Sequence, residues 1–363
     1  MPLLNPSRSA AIRELLATPW LRPLGDPLAI DDLLGLVDPT WSLSAVRARV
    51  VDAIRETADA RTLVLRPNGL WRGHRSGQHV SVEVEIGGRR LTRSFSLSAP
   101  PRSDGLVRIT VKRHDGGKVS PWWNEVAAVG DVVTLSQASG SFVLPTPLPP
   151  RIVMLSAGSG ITPLMAMLRE LHASGAFCQV VFVHCAHSRA DLIFADELER
   201  VARESVHVDL RLFLSNEYGR LGPRRFARLA AEAGDSPAFV CGPAAFMQGA
   251  RRAWQDAGLG AGLHFEHFGV PLRKPQPGCS SVVHAERSGK TFVALPGQSL
   301  LEAAEAAGLR PPHGCRAGVC HTCKCRKISG VVEDLRDGRI AEEPGEMIQL
   351  CISTAHSAVT LEL

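Results

Sequence analysis

The sequence PHGCRAGVCHTCKCR, residues 312–326, contains four of the nine cysteines of this 363-residue chain. Three of them, Cys315, Cys320 and Cys323, have the spacing C-x4-C-x2-C, and Cys351 follows alone much later. Four thiolates suit a soft metal centre. Three ligands on one loop with a remote fourth match the plant-type [2Fe–2S] spacing, whereas structural zinc sites pair their ligands in short knuckles. A zinc site and buried structural cysteines are the alternatives.

The glycines of this loop, Gly314 and Gly318, allow the backbone to wrap closely around a cluster and to point N–H groups at its sulfurs. From the hairpin SVVHAERSGKTFVAL through HGCRAGVCHTC to LCIS, residues 280–363 resemble the plant-type ferredoxin domain, which implies a β-grasp fold. The resemblance implies that one [2Fe–2S] cluster is held by Cys315, Cys320, Cys323 and Cys351. Cys325 lies too near Cys323 to be a natural fourth ligand, and we expect a free thiol there.

The cysteine loop is also basic. Positively charged or titratable side chains accompany the thiols at His313, Arg316, His321, Lys324, Arg326 and Lys327. Positive charge stabilises the reduced, more negative cluster, so we expect it to raise the reduction potential. It also predicts that a docking partner offers an acidic face. The alternative is a basic loop that is merely solvated.

Two proline-rich seams divide the rest of the chain, LPTPLPP at residues 144–150 and GVPLRKPQPGC at residues 269–279. Proline stiffens a linker and stops regular elements from continuing across it. The seams predict a helical extension, a β domain, an α/β domain, a linker and a third domain, at residues 1–44, 45–147, 148–270, 271–279 and 280–363. The extension contains the amphipathic pieces SAAIRELLATPWL and IDDLLGLV, which suit either a docking element or a cover for the next domain.

The predicted fold class is multidomain, α/β plus β. In residues 45–147, short alternating runs such as RTLVLRP and QHVSVEVEI recur between turn signals, which predicts an antiparallel β-barrel or a sandwich. In residues 148–270, strands such as RIVMLSAG and QVVFVHCA alternate with helices, which predicts a parallel, doubly wound sheet.

Two motifs stand where strands of the α/β block end. AGSGITP, residues 157–163, places Gly158 and Gly160 at a strand-to-helix turn, where they permit close approach to a phosphate. An ordinary strand–helix turn is the alternative. FVCGPAAFM, residues 239–247, places Cys241 at the carboxyl end of a later strand, where ligands bind in open α/β sheets. An inert core cysteine is the alternative there.

The β block carries two further motifs. RSFSLSAP, residues 93–100, offers Arg93 to a phosphate and Ser96 to a ring nitrogen. DGGKVSPW, residues 115–122, offers paired glycines as a nest for a second phosphate contact. Each motif alone also fits an ordinary strand or turn.

The order of these motifs resembles the ferredoxin–NADP reductase superfamily, in the fused form with a C-terminal ferredoxin domain. RxFS, GGxVS, GSGITP, CGPxxFM and the cysteine loop follow one another between about residue 45 and the end. The resemblance implies a flavin-binding barrel, a nucleotide-binding α/β domain and an NAD(P)H-dependent oxidoreductase that passes electrons through a flavin and a [2Fe–2S] cluster. It favours FAD over FMN.

The resemblance also implies residue roles. It assigns the flavin to Arg93, Phe95, Ser96, Gly116, Gly117, Val119 and Ser120. It assigns the nicotinamide dinucleotide to Gly158, Gly160, Thr162, Pro163, Gly242, Pro243 and Met247. The expected catalytic positions are Ser96 near the reactive flavin nitrogen, Cys241 packed against the nicotinamide, and Glu266, with Phe268 beside it. Phe95 stands where relatives usually have tyrosine, so a hydroxyl contact is lost and stacking survives.

The choice between NADPH and NADH depends on HSRADLIF, residues 187–194. A 2′-phosphate needs an arginine near the end of the second strand of the nucleotide domain. Ser188 and Arg189 stand there, and no acidic residue precedes Asp191. The sequence therefore favours NADPH.

Composition excludes other classes of protein. A net charge of +5 without a concentrated basic stripe predicts no nucleic-acid partner. The N-terminus lacks the apolar core of a signal peptide, and no run of about 18 apolar residues exists. We therefore expect a cytoplasmic chain without a membrane span, and a monomer.

The N-terminal lead suggests an acceptor. Together with DPTWSLSAVRARVVDAIRETADARTLVLRP it is similar to reductases that serve acyl-CoA desaturases and related di-iron membrane oxygenases. The expected partner is a desaturase or an oxygenase, which would hold the chain at the periphery of the inner membrane. Alternatives are a reductase of an aromatic-ring or alkane hydroxylase, a non-catalytic electron-wiring subunit, and a redox sensor using the cluster and Cys325.

Overall fold

The structure, a computed structural model, describes residues 27–268, 280–314, 316, 318, 322–336 and 338–363. The predicted helical piece SAAIRELLATPWL and the predicted linker at 271–279 lie outside these residues. The second helical piece, IDDLLGLV, belongs to helix α1 (Pro27–Val37). Asp31 ties this helix to the chain ahead of the first strand, because its carboxylate accepts hydrogen bonds from Ser42 Oγ at 2.7 Å and from the Leu43 N–H at 2.5 Å.

The first domain is a six-stranded antiparallel barrel. Its strands are β1 (Val46–Thr57), β2 (Ala60–Pro67), β3 (His79–Ile86), β4 (Arg89–Ser96), β5 (Val107–Lys112) and β6 (Val132–Leu135). They pair in the order β4-β3-β6-β1-β2-β5, and a bridge between Leu97 and Ile109 joins the end of β4 to β5 and closes the barrel. A short helix, α2 (Val119–Pro121), continues into a π turn that buries Trp123 in the barrel core. The predicted antiparallel barrel is confirmed.

The second domain is a five-stranded parallel sheet with helices on both faces. Its elements are β7 (Arg151–Ala157), α3 (Ile161–Ser174), β8 (Gln179–Ala186), α4 (Ala195–Glu204), β9 (Val208–Leu214), α5 (Ser215–Tyr218), α6 (Pro223–Ala233), β10 (Ala238–Cys241), α7 (Ala244–Asp256) and β11 (Leu263–Glu266). The strand order is β11-β10-β7-β8-β9. The order reverses between β7 and β10, which makes a crevice at their carboxyl ends. The predicted doubly wound sheet is confirmed.

Alternation along the buried strands supplies one apolar cluster for each face of this sheet. Met154 and Phe182 pack with Leu164 of α3 on one face. Leu155 and Val183 pack with Trp254 of α7 on the other. Because both faces are covered, the strands read as continuous apolar runs.

The third domain folds around the cysteines. Its elements are β12 (Ser281–Ala285), β13 (Lys290–Ala294), α8 (Leu300–Ala306), β14 (Lys324–Ser329), β15 (Val332–Asp334), β16 (Ile340–Ala341), β17 (Met347–Gln349), β18 (Ser353–Ala355) and β19 (Val359–Leu361). One sheet has the order β13-β12-β19-β14-β17, with β12 and β19 parallel, and β16-β15-β18 form a smaller one. Ser299 caps α8 through a hydrogen bond from the Glu302 N–H at 3.2 Å. The predicted hairpin, helix and final strand are all present.

Within the described residues, no helix combines the length and the hydropathy that a membrane span needs.

Candidate functional site

A cavity of about 560 Å³ lies where β4, β5 and α2 meet the end of β11. All seven residues that the sequence assigns to a flavin line it. They are Arg93, Phe95, Ser96, Gly116, Gly117, Val119 and Ser120. Glu266 and Phe268 line the same cavity, together with His79, His267 and Ser159. Two distant stretches of the barrel and one end of the parallel sheet therefore share a single site.

Ser96 ends β4 and is buried, and within the described part of the chain its Oγ has no hydrogen-bond partner. Buried hydroxyls are normally satisfied, so an orphan hydroxyl in a cavity wall fits a ligand with a polar ring edge, such as a flavin. The Phe95 ring packs 5.6 Å from the ring of Trp123. Aromatic packing thus holds the side chain that replaces tyrosine, and Arg93 is exposed at the rim.

The glycine pair forms the other end of this cavity. Gly116 has a φ of +79°, a conformation that favours glycine, and a Cβ there would meet open space. The Gly117 N–H donates to the His114 carbonyl at 3.0 Å, and Ser120 Oγ accepts the His114 N–H at 3.1 Å. The turn is therefore fixed by its own hydrogen bonds and leaves room for a phosphate beside it.

Glu266 meets a residue that the sequence analysis missed. Its Oε1 lies 3.3 Å from His79 Nδ1, and both side chains are almost fully buried. His79 Nε2 lies 3.2 Å from Ser139 Oγ, and His79 pairs with Ser96 across the β3–β4 ladder. The sequence could have indicated His79, because it is a histidine at the start of a strand, QHVSVEVEI, whose other buried residues are apolar.

A second cavity of about 320 Å³ opens at the carboxyl ends of β7, β8 and β9. Gly158 and Pro243 line it, as the sequence assigns. Gly160 lies behind it, where a Cβ would come 2.2 Å from the Cys241 carbonyl oxygen. Gly242 has a similar constraint, with Ala157 at 3.1 Å from a Cβ. These two glycines thus allow the strand ends to approach each other.

Other residues assigned to the nucleotide lie deeper. Thr162 and Pro163 are buried in the first turn of α3, and Thr162 Oγ1 donates to the Ser159 carbonyl at 3.1 Å. Met247 is buried on the α7 side of the sheet. Cys241 is fully buried in the apolar cluster under α3, where burial, and then the nearby Glu266 carboxylate, raise the pKa of its thiol well above the ordinary value. Such a thiol stays neutral and packs.

The arginine near the second cavity differs from the one that the sequence singles out. Ser188 Oγ donates to Asp191 Oδ2 at 2.6 Å, and Arg189 is exposed and bonds Glu199 at 2.6 Å. Arg220 lines the cavity, after the third strand of this sheet, with Ser215. The sequence feature that could have identified Arg220 is the stretch FLSNEYGR, which includes the carboxyl end of β9 and the turn after it, at the same crevice.

Lys112 lines both cavities. Its Nζ lies 3.1 Å from Asp59 Oδ2 and 4.0 Å from Asp191 Oδ1. Hydrogen bonds from Ser188 are the main reason that the pKa of Asp191 lies below its ordinary range. Lys112 ends a barrel strand and Asp191 belongs to the α/β domain, so this lysine connects the two domains between their cavities.

Two of the four predicted cluster ligands are described, and they lie together. Cys323 Sγ and Cys351 Sγ are 3.2 Å apart and buried, and the Leu350 N–H donates to the Cys323 carbonyl at 3.1 Å. Neighbouring buried thiols fit a soft metal centre such as [2Fe–2S]. Cys315 and Cys320 lie outside the described residues. Burial raises the pKa of the Cys325 thiol to about 11.

The basic loop is less exposed than the sequence suggests. Arg316 makes two bonds to Glu305, at 2.6 and 2.9 Å, so its charge is paired. Lys327 is fully buried in β14 and donates to the carbonyls of Gly330 and Glu343 at 2.7 and 2.9 Å. The alternative of a merely solvated basic loop therefore does not hold for Lys327, whereas Lys324 and Arg326 are exposed. His321 lies outside the described residues.

Three family models match consecutive parts of the chain. They are an oxidoreductase FAD-binding domain over residues 47–144, an oxidoreductase NAD-binding domain over residues 154–252 and a 2Fe-2S iron-sulfur cluster binding domain over residues 283–355. The order of the three is the order that the motifs predict.

Whole-length relatives have the same arrangement. The chain is 36% identical to an NADPH oxidoreductase of Mycobacterium tuberculosis, over 93% of this chain and 89% of that protein. It is 30% identical to a glycine betaine monooxygenase reductase subunit of Chromohalobacter salexigens, over 89% of this chain and 96% of that protein. Among solved structures, phthalate dioxygenase reductase covers 88% of this chain and 98% of its own, with a TM-score of 0.64 at 23% identity, a likeness of fold.

Proposed function

This chain belongs to the ferredoxin–NADP reductase superfamily, in the form with a C-terminal [2Fe–2S] domain, and we propose that it reduces an oxygenase or a fatty-acyl desaturase with electrons from NADPH. It is an NAD(P)H-dependent electron-transfer reductase that uses FAD and a [2Fe–2S] cluster. The match to a monooxygenase reductase subunit over 96% of its length supports an oxygenase-type acceptor.

Bound FAD supplies hydride acceptance and the bound cluster supplies single-electron transfer, so one NAD(P)H gives two one-electron transfers and one proton. The protein contributes orientation and exclusion of water. We assign the Ser96 hydroxyl and the Glu266 carboxylate to hydrogen bonds at the reacting end of the flavin cavity. His79 holds Glu266 in place, and Cys241 packs behind the nicotinamide position. Arg93 and the turn at Gly116 are assigned to phosphates.

NADPH is the proposed donor, and the support for it is Arg220. A 2′-phosphate carries two negative charges near neutral pH, and an arginine binds it through paired N–H groups. Ser188 bonds Asp191, and Arg189 bonds Glu199, so both of these side chains already have partners. Arg220 and Ser215 line the cavity instead. A relative with 36% identity is described as an NADPH oxidoreductase, which agrees with this assignment.

The acceptor is proposed to dock with an acidic face on the exposed side of β14 and β17, which lie between the proposed ligands Cys323 and Cys351 in the sequence. Arg326 and Met347 stand opposite each other in the β14–β17 ladder and are both exposed, and Lys324 is exposed directly after Cys323. Positive charge beside an apolar side chain suits a transient, electrostatically steered contact. We propose a monomeric chain, held at the membrane surface through its acceptor if that acceptor is a membrane desaturase.

The alternatives are a reductase of an aromatic-ring or alkane hydroxylase and an electron-wiring subunit that does not turn over pyridine nucleotide. The open cavity beside Gly158 speaks against the wiring subunit, because a subunit without nucleotide turnover has no need of it. Only the identity of the acceptor separates the hydroxylase alternatives from the proposed function, because the residues of the reductase site are the same in each case.

Anaerobic titration of the purified protein with NADPH and then NADH tests the proposal, followed by absorbance and electron paramagnetic resonance. We expect NADPH to bleach the flavin absorbance and to produce a rhombic [2Fe–2S] signal at lower concentration than NADH. A flavin and a cluster that stay oxidised with both nucleotides would instead favour the wiring subunit.

A further inference from the structure

Arg336 connects the two halves of the cluster site. It follows β15, and its Nη1 donates to the Gly318 carbonyl, in the cysteine loop, at 3.2 Å. The same carbonyl accepts a hydrogen bond from Gln349 Nε2 at 3.1 Å, two residues before Cys351. The Gly318 carbonyl therefore accepts hydrogen bonds from the segment that follows β15 and from β17, which precedes Cys351.

The guanidinium that makes this bond is itself fixed. Its Nε and Nη2 donate to Asp334 Oδ1 and Oδ2 at 3.0 and 2.6 Å, and the Arg336 N–H donates to Asp334 Oδ1 at 2.9 Å. Such paired bonds give an arginine a defined orientation. The Leu335 N–H donates to the Ile352 carbonyl at 2.7 Å, which holds this segment against the residue next to Cys351.

Gly318 packs closely against this anchor. It has a φ of +70°, and a Cβ there would come 2.8 Å from Ile352 Cδ1 and 3.2 Å from Arg336 Nη1. Gly318 therefore lies against the guanidinium and the Ile352 side chain with no room for a side chain of its own.

We propose that Arg336 is a positioning residue for electron transfer through the cluster. Its guanidinium, held in place by Asp334, fixes the cysteine loop at the Gly318 carbonyl. The inference rests on the proposed reductase function and deepens it. Outer contacts of this kind typically change metal affinity or activity about 10- to 100-fold when they are removed.

The test compares Arg336→Gln, Arg336→Lys and the control Arg287→Gln in the full-length holoprotein. Arg287 bonds Glu362 on the exposed surface of the same domain, so its loss removes an equal charge away from the loop. NADPH oxidation by ferricyanide reports the flavin step, and cytochrome c reduction reports the cluster step. Cluster content, the resonance line shape and the midpoint potential are measured on the same samples.

For Arg336→Gln we expect an unchanged ferricyanide rate, a lower midpoint potential, an altered resonance spectrum and a cytochrome c rate per cluster about 10- to 100-fold lower. Arg336→Lys keeps the charge and should recover the potential more than the rate. If Arg336→Gln does not retain its cluster, the Arg336→Lys variant is the test. A normal resonance spectrum and a normal cytochrome c rate per cluster in Arg336→Lys would overturn the proposal. Arg336→Gln behaving like Arg287→Gln overturns it too. A wild-type chain without ferricyanide activity would contradict the reductase function instead.

Discussion

His79 Nδ1 and Glu266 Oε1 lie 3.3 Å apart, so a barrel strand and the last strand of the parallel sheet meet through two nearly buried side chains. Ser96 stands beside His79 in the β3–β4 ladder, and all three residues line the flavin cavity. This end of the cavity, to which we assign the reaction, is therefore built jointly by two domains, and its geometry depends on how they are packed together.

Removing the charge of Glu266 tests this joint site. We expect Glu266→Gln to slow flavin reduction by NADPH by about 100-fold, because the amide keeps the shape of the side chain and loses the negative charge that faces His79 and the cavity. Stopped-flow absorbance measures the rate. Glu85→Gln, a matched change at an exposed position of β3, should leave the rate unchanged. Equal rates in the two variants would contradict a role for Glu266.

Gly160 is predicted to tolerate no side chain. A Cβ there lies 2.2 Å from the Cys241 carbonyl oxygen, a rigid backbone atom, so the strand ends must move apart. We expect Gly160→Ala to cost about 1–3 kcal/mol of stability and to weaken NADPH binding. Thermal unfolding and a nucleotide titration measure the two effects. Gly69→Ala is the control, since a Cβ at Gly69 meets nothing within 4 Å; the same loss in both would argue against the close approach.

Arg220 and Arg189 make competing predictions about the donor. If Arg220 binds the 2′-phosphate, Arg220→Ala should raise the KM for NADPH by about 10-fold or more and leave that for NADH nearly unchanged. Arg189→Ala should change neither, because Arg189 bonds Glu199 on the surface. Steady-state kinetics with both nucleotides checks this. If Arg189→Ala raised the KM for NADPH and Arg220→Ala did not, the 2′-phosphate would be assigned to Arg189, as the sequence favours.

The cysteines give a paired test of the ligand set. Cys323→Ser should abolish the cluster absorbance and its resonance signal, because that thiol faces Cys351 at 3.2 Å. Cys325→Ser should leave both intact, because Cys325 is a buried neutral thiol within β14, beyond the cysteine loop. Iron content and absorbance are measured on protein purified without oxygen. A cluster that is lost from Cys325→Ser would require a different set of ligands.

His184 makes stability depend on pH. It is fully buried with Nδ1 2.8 Å from Ser156 Oγ, and burial lowers the pKa of its imidazole from 6.5 to about 4, with a smaller contribution from Lys112. Between about pH 6.5 and about pH 4, the His184 imidazole therefore binds a proton in the unfolded chain but not in the folded chain. This contribution to stability is complete above about pH 6.5 and declines as the pH falls toward about 4, by about 3 kcal/mol in total.

The corresponding variant is His184→Gln, which cannot be protonated. Its melting temperature should fall less than that of the wild type between pH 7.5 and pH 5, although its absolute stability is lower. His284→Gln, at an exposed position of β12, should keep the wild-type slope. An unchanged slope in His184→Gln would show that other groups control the acid sensitivity.

Local motifs explain why the residues that line the first cavity could be grouped from the sequence. The stretches around Ser96 and Gly116 each set their own backbone conformation through a few neighbouring residues, and the barrel then brings both to one cavity. The lining of the second cavity was harder to predict, because Arg220 reaches that cavity only through the order of strands in the sheet. Thr162 stands in a correct motif, but the first turn of α3 directs it into the core.

Predicting which basic side chains are exposed also requires the alternation of buried and exposed positions along a strand. The segment KCRKIS reads as a basic surface by composition, whereas its burial alternates so that Cys325 and Lys327 are inside and Lys324 and Arg326 outside. Period-two alternation from the buried Cys323 and Cys325 would have placed Lys327 inward. The partners of its ammonium group, two backbone carbonyls on separate loops, cannot be read from the sequence.

The wall that Lys112 shares between the two cavities has a thermodynamic consequence. If ligands in both cavities contact Lys112, which now bonds Asp59, occupation of one cavity changes the binding free energy in the other. Such coupling is reciprocal, so whatever factor nucleotide contributes to flavin retention, flavin must contribute equally to nucleotide affinity.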